Sequence, residues 1–198
     1  MDQQILTIAT RNQHKTREIQ EILGPEFTIH DIAGRQDIAD VAETGKTFEE
    51  NAILKAVALS KHVSGLVLAD DSGLEVDSLH GAPGVFSARY AGAARGDREN
   101  VAKLLRELNA VDQSERRARF VCVLAVARHG ALLKTFSGEI EGGIAGSPRG
   151  NGGFGYDPIF IPKGLTETFG ELPAETKNRL SHRARAIEAA VPFLRTAL

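Results

Sequence analysis

The chain has 198 residues, 42% hydrophobic and 25% charged, enough apolar material for a sizeable core in a soluble protein of one domain with one or two lobes. Its 24 Lys+Arg and 26 Asp+Glu nearly cancel to a net charge of -2, which excludes an extended positive field for a nucleic-acid backbone and leaves room only for a local basic pocket. No apolar stretch approaches the ~20 residues that span a bilayer, and Met1-Asp2-Gln3-Gln4 shows no basic leader pattern. The single cysteine, Cys122, lies in an apolar run, so no intrachain disulfide can form and a reducing, cytoplasmic location is expected.

In chain order, Ile5 to Thr10 predicts a buried strand running into the polar cluster Thr10-Arg11-Asn12-Gln13-His14-Lys15. Ile19, Ile22 and Leu23 then recur with helical spacing, and Gly24-Pro25 closes the helix. Phe27 to Ile32 predicts a second strand. Thr47-Phe48-Glu49-Glu50 has the spacing of a capping box and predicts a helix from there to about Val63, with Asn51 and Lys55 on one face. Leu66 to Ala69 reads as a strand that ends on Asp70-Asp71 and the turn-forming pair Ser72-Gly73. Asp97 to Leu108 predicts an amphipathic helix. Ala118 to Arg128 and Leu132 to Ile140 predict a hairpin about His129-Gly130, Pro158 to Pro162 a short strand, and the chain from about Ala184 a terminal helix. Early β/α alternation followed by a hairpin places the fold in the α/β class, a mixed sheet covered by helices.

Several stretches carry candidate chemistry beside a plainer reading. Asp70-Asp71 could be turn chemistry. As carboxylates leaving a strand they would instead stand where open α/β sheets bind ligands, and two hard oxygen donors that repel each other suit Mg²⁺ held between carboxylates and substrate phosphates. The cluster Thr10 to Lys15 is either a solvated helix start or an anion site built from free amides and Lys15. Gly150-Asn151-Gly152-Gly153-Phe154-Gly155-Tyr156-Asp157 matches GxGxxG in form, but a proline and β-formers follow it where a dinucleotide fingerprint needs a helix. It is either a flexible connection or a backbone that approaches a flat ligand, with Phe154 as a ring for stacking on a base. Lys177 to Arg183 could be a charged helix face, and His182 is better suited to hydrogen bonding than to zinc, since no HxH or HExxH spacing occurs.

The order of these signals is more specific than any one of them. Thr10-x-Asn12-x-x-Lys15, Glu43-Thr44-Gly45, Phe48-x-x-Asn51-Ala52-x-x-Lys55-Ala56, Ala69-Asp70-Asp71-Ser72-Gly73-Leu74, Gly81-Ala82-Pro83-Gly84, Ser87-Ala88-Arg89-Tyr90, Gly152 to Pro158 and Ser181-His182-Arg183 together closely resemble the inosine triphosphate pyrophosphatase family, the Ham1-like enzymes. The resemblance runs from Ile5 to the last helix, so residues 1–198 are expected to form a single domain of this kind. It implies an α/β/α arrangement about a mixed sheet, with two lobes flanking an active-site cleft, and usually a homodimer. It also implies Mg²⁺-dependent hydrolysis of purine nucleoside triphosphates such as ITP, dITP and XTP to the monophosphate and pyrophosphate.

Position by position, the resemblance makes Asp71 the general base and a metal ligand, with Glu43 the second metal carboxylate. It places the Thr10, Arg11, Asn12, Gln13, His14 and Lys15 segment and Lys55 at the triphosphate. Ser72, Phe154, Gly155, Tyr156, Asp157, Lys177, His182 and Arg183 would build the nucleoside pocket. Two positions depart from the pattern. Arg11 stands where many members carry glycine, which would alter the phosphate loop and bring an extra charge close to the substrate. Phe86 replaces a common tyrosine, a change of packing alone. Two other classes stay in view: a nucleotide sensor that binds without turnover, against which intact Glu43, Asp71 and both lysines argue, and a nucleic-acid-binding module, disfavoured by the net charge.

Overall fold

The computed structural model describes residues 4–92 and 96–197. Most of the N-terminal stretch read for a leader, residues 1–3, lies outside it, as do residues 93–95 and 198. The strands are β1 (Gln4–Ile8), β2 (Phe27–His30), β3 (Leu66–Val76), β4 (Arg117–Arg128), β5 (Ala131–Ile144) and β6 (Phe160–Pro162). The helices are α1 (Gln13–Leu23), α2 (Phe48–Leu59), α3 (Asp97–Glu107), α4 (Ala174–Leu180) and α5 (His182–Ala197). The strands form one sheet in the order β2-β1-β3-β4-β5-β6. β1 is parallel to β2 and β3, and β5 is antiparallel to β6, so the sheet is mixed as expected.

The chain divides into two compact units: residues 1–71, 122–138 and 182–198 in the first, residues 72–121 and 139–181 in the second. In the first unit, Leu6 and Ile8 of β1, Leu66 and Leu68 of β3 and Leu124 and Val126 of β4 bury one apolar core with Ile19, Leu23, Ile187, Ala190 and Leu194. Here α1 lies against α5 and β2. In the second unit, Leu74 and Val76 of β3 pack with Val101, Leu104 and Leu108, and the rings of Phe120, Phe160 and Phe169 gather at centroid distances of 4.7 to 6.2 Å. Each unit closes its own apolar face, which is what a stable unit of this size needs.

The local causes are legible. The Asn12 carboxamide oxygen accepts from the backbone N–H of His14 and Lys15 and starts α1; Gly24, at φ 75°, ends it in a conformation that favours glycine. Thr47 caps α2 by accepting from Glu50 N–H, while the Glu50 carboxylate accepts from Lys46 N–H, one residue off the reciprocal bond of a capping box. α2 ends at Leu59, short of the predicted Val63: the Ser60 hydroxyl donates back to Val57 O and accepts from Gly130 N–H at the hairpin tip. His129 and Gly130 both have positive φ, as a two-residue hairpin turn requires.

One element differs from expectation. β3 does not stop at Ala69 but runs eleven residues to Val76, with Asp70-Asp71-Ser72-Gly73 inside it. The parallel ladder with β1 ends at the pair Ile8 and Leu68, so the two carboxylates still stand just past the end of a parallel strand pair. Successive side chains of a strand point to opposite faces, which sends the two charges apart and lets the strand continue through them.

Candidate functional site

Within the first unit, α1, α2, α5, β3 and the irregular segment before α2 bring cations and carboxylates together. Lys55 of α2 donates from Nζ to Asp71 Oδ1 at 2.6 Å, to Glu43 Oε1 at 3.0 Å and to the Asp70 carbonyl at 2.8 Å. One ammonium thus joins the two carboxylates singled out as metal ligands. Asp70 accepts on its other face from Lys15 Nζ, from Arg183 Nε at 2.9 Å and from the Cys122 thiol at 3.1 Å. Arg183 Nη1 donates to Glu18 Oε2 at 2.5 Å.

These surroundings drive the two neighbouring carboxyls in opposite directions. Burial pushes Asp71 above its ordinary value, more than the nearby Lys55 ammonium pulls it down. Asp70 is more deeply buried, yet the charges of Arg183 and Lys15 outweigh that penalty and hold it well below the usual range. Lys55 pays for burial as well, and Asp71 and Glu43 more than restore its charge, so its ammonium titrates above its ordinary value. A pair of carboxyls tuned apart is the arrangement that assigns one to proton transfer and the other to fixed charge. Burial together with Asp70 pushes the Cys122 thiol well up, leaving it a buried donor and no nucleophile.

The remaining residues of the first set lie at the start of α1. Thr10 Oγ1 accepts from Asn12 N–H at 3.1 Å, Asn12 caps the helix, and Gln13 and His14 are exposed in its first turn. Arg11 is turned away to protein acceptors: it donates to Asp40 Oδ1 at 2.7 Å, to Ile32 O at 2.7 Å, to Ile38 O at 2.6 Å and to Arg35 O. Its charge is therefore committed to the segment that leads to Glu43. Arg183 is likewise committed, with its side chain 2% exposed between Glu18 and Asp70. His182 is buried at the first position of α5.

Within the second unit, Asp157 organises the glycine-rich loop. Its Oδ2 accepts from Phe154 N–H at 2.7 Å and from Lys177 Nζ at 2.5 Å, and the Lys177 ammonium stands 4.9 Å from the Phe154 ring centre. Gly155 N–H donates to Asp97 Oδ2 at 2.7 Å, and the Tyr156 hydroxyl to Ser87 O at 2.9 Å. Ser72 follows Asp71 on β3 and is half-buried. At Gly150, φ is 76° and a Cβ would fall 2.0 Å from Gly170 O. That glycine is required by the close approach of another stretch of the same chain, residues 170–171.

Glu18, Cys122 and Asn51 were not singled out from sequence as site residues. Glu18 had a signal: it lies three residues after Lys15 and so shares its helical face, a charge beside the apolar Ile19. Cys122 had none, because it meets Asp70 from 52 residues away.

Paired lysines and carboxylates around a strand end, with an aromatic-bearing glycine loop elsewhere in the chain, mark a class of α/β proteins with a mixed six-stranded sheet. The chain belongs to the Ham1 family, whose profile matches residues 6–193. It is 50% identical over 182 residues to the dITP/XTP pyrophosphatase of Bacillus subtilis, covering 91% of this chain and 92% of that protein. It is 52% identical over 184 residues to the dITP/XTP pyrophosphatase of Geobacter sulfurreducens, covering 92% of each. Among solved structures, the Ham1 protein of Staphylococcus aureus superposes with a TM-score of 0.84 at 42% identity, over 98% of this chain and 99% of that one. A HAM1 protein from Coxiella burnetii gives 0.86 at 42% identity, over 98% and 100%.

Proposed function

We propose that the chain hydrolyses non-canonical purine nucleoside triphosphates, dITP, XTP and ITP, to the nucleoside monophosphate and pyrophosphate, with residues 1–198 acting as one catalytic domain. The observation that carries this reading is the Lys55 ammonium shared by Glu43 and Asp71, with Asp71 pushed up by burial. Family membership and relatives named for this activity support it.

The donor set fits Mg²⁺. Among the described residues no three His, Cys, Asp or Glu side chains gather for a cation, while two carboxylates converge on one cationic point. Mg²⁺ takes one or two carboxylates and fills the rest of its shell with water and substrate phosphates. When bound by Glu43 and Asp71 it would neutralise phosphate charge and orient the triphosphate.

The chain's own residues supply the remaining chemistry. Lys15 and Lys55 offset the triphosphate charge, and the amides at the start of α1, near Asn12, Gln13 and His14, present donors to it. Asp71 orients a water and takes its proton as the oxygen bonds to the α-phosphorus. The bond from that phosphorus to the α,β-bridging oxygen breaks, and pyrophosphate leaves. Charge spreads over oxygens throughout, so positioned cations carry much of the catalysis. Phe154 offers a stacking face for the base, held in place by Asp157 and Lys177. His182 donates to the 6-oxo group of hypoxanthine or xanthine, where adenine would present a donor to a donor. Arg11 and Arg183, being tied to protein acceptors, act through the segments they hold. A homodimer and a cytoplasmic setting complete the proposal; no helix among the described residues is long and apolar enough to cross a membrane.

The test is initial rates of pyrophosphate and orthophosphate release from ITP, XTP, dITP, GTP and ATP, with Mg²⁺ and with chelator, and sedimentation of the protein for its oligomeric state. Metal-dependent pyrophosphate release, strong for the first three substrates and weak for the others, is expected. Orthophosphate as the first product would overturn the bond assignment, and tight ITP binding without turnover would return the sensor reading.

A further inference from the structure

Asn51 has no place in the chemistry above, yet it is fully buried in α2 among Phe48, Ala52 and Ala56, where an apolar side chain would be the ordinary occupant. Asparagine is a poor helix former, and its buried carboxamide has to be matched to partners. The Asn51 Oδ1 atom accepts from Gly45 N–H at 2.8 Å, while Nδ2 finds no partner among the described residues. One helical turn further along the same face, Lys55 holds Glu43 Oε1 at 3.0 Å. The Glu43-Thr44-Gly45 segment is therefore attached to α2 at two points, a carboxylate on Lys55 and an amide on Asn51.

We infer that Asn51 is a positioning residue for the cation, acting through Gly45 to keep the Glu43 carboxylate beside Asp71. The inference rests on the proposed role of Glu43 as a metal ligand. Lys55 cannot serve as the sole tether. A cation held by Glu43 and Asp71, with the ammonium drawn to phosphate oxygens, would loosen the bond by which Lys55 holds Glu43. The Asn51–Gly45 bond involves neither the metal nor the substrate and persists through that exchange. Gly45 is fitted to this contact: a Cβ there would lie 2.7 Å from Asn51 Oδ1, 2.7 Å from Glu50 Cβ and 3.0 Å from Asn51 N. A side chain at this position would lift the segment off the helix. The orphaned Nδ2 fits a residue kept for its acceptor at the expense of its donor.

The experiment measures Mn²⁺ binding by loss of the free-ion EPR signal, in the presence of the non-hydrolysable α,β-methylene analogue of ITP. The proteins compared are wild type, Glu43→Gln, Asn51→Ala and Gly45→Ala, each with its melting temperature. Partners that orient a metal ligand typically change metal affinity by about 10- to 100-fold when removed. Asn51→Ala and Gly45→Ala are each expected to weaken Mn²⁺ binding by at least about tenfold, with the affinity for the analogue at saturating Mn²⁺ unchanged. Glu43→Gln should weaken it as much or more. Wild-type Mn²⁺ affinity in both Asn51→Ala and Gly45→Ala, with only a lower melting temperature, would overturn the inference while leaving the function intact. Wild-type affinity in Glu43→Gln would remove Glu43 from the metal site, and the inference with it. Should Asn51→Ala fail to fold, Gly45→Ala tests the same bond from the loop side.

Discussion

Asp70 and Asp71 are chemically identical and adjacent, and their environments shift their proton affinities in opposite directions. Asp71 is held above the ordinary carboxyl value, so the folded state binds its proton more tightly than the unfolded chain; ionised at neutral pH, it works against folding. Asp71→Asn removes that charge and still offers an oxygen to Lys55. The expected result is a melting temperature at or above wild type at pH 7, with turnover of ITP reduced by about 10³-fold, within the range of lost general-base catalysis. Asp70 is held well below the ordinary value, so its stabilisation is fully present above the unfolded value and disappears as pH falls through the folded one. Asp70→Asn leaves Arg183 buried with one carboxylate fewer, a loss of about 3–5 kcal/mol for a broken buried pair. Chemical denaturation at pH 7 should show that loss, and the gap to wild type should close as pH drops below about 4. Equal stability of the two variants at pH 7 would refute the division of roles.

At the scale of an element, Arg11 fastens a segment that has no regular structure of its own. Three backbone carbonyls, those of Ile32, Arg35 and Ile38, and the Asp40 carboxylate all accept from one guanidinium. Arg11→Gly, which removes the guanidinium, should raise hydrogen exchange of the amides at 32–40 by about 10-fold or more, since each lost bond to a charged donor is worth about 1.5–3 kcal/mol. Unchanged exchange there would show that the segment is held by other contacts. None of this was legible in the sequence, because three of the four accepting groups are backbone carbonyls 21 to 27 residues away that carry no residue signature, and the fourth, the Asp40 carboxylate, is 29 residues away. Local physics was legible: Asn12 and Thr47 as caps, Gly24 as a stop, and the His129-Gly130 turn are all decided within a few residues. The end of β3 was misread for the complementary reason. A pair of aspartates followed by Ser-Gly is a turn signal on its own, and it is overridden by Lys15, Arg183 and Lys55, which satisfy each carboxylate from a different element. The candidate site was legible as a set of motifs in order, and its internal wiring was not, since Glu18, Cys122 and Asn51 contribute through partners distant in sequence or through a bond to a backbone amide.

At the scale of the whole molecule, rate and selectivity are assigned to different residues, and the division can be tested as such. Every substrate carries the same triphosphate, so a change at Lys55 should act equally on all of them; the base edge differs among substrates, so a change at His182 should not. Lys55→Met, which keeps the length and apolar stem and removes the ammonium, is expected to lower kcat/KM for ITP, XTP and dITP by a common factor, leaving their ratios to ATP and GTP unchanged. His182→Ala is expected to reduce the ratio of ITP to ATP by about 10-fold or more, the effect of losing one donor matched to a 6-oxo acceptor. Phe154→Ala should behave in a third way, raising KM for every purine by a similar factor, since stacking on an aromatic ring tolerates any base. The three variants together make a pattern that no general loss of folding reproduces, because misfolding lowers all rates without moving their ratios. A His182→Ala enzyme that kept the wild-type ITP to ATP ratio would place the base filter elsewhere, in the loop amides that Asp157 and Asp97 hold around Phe154 and Gly155.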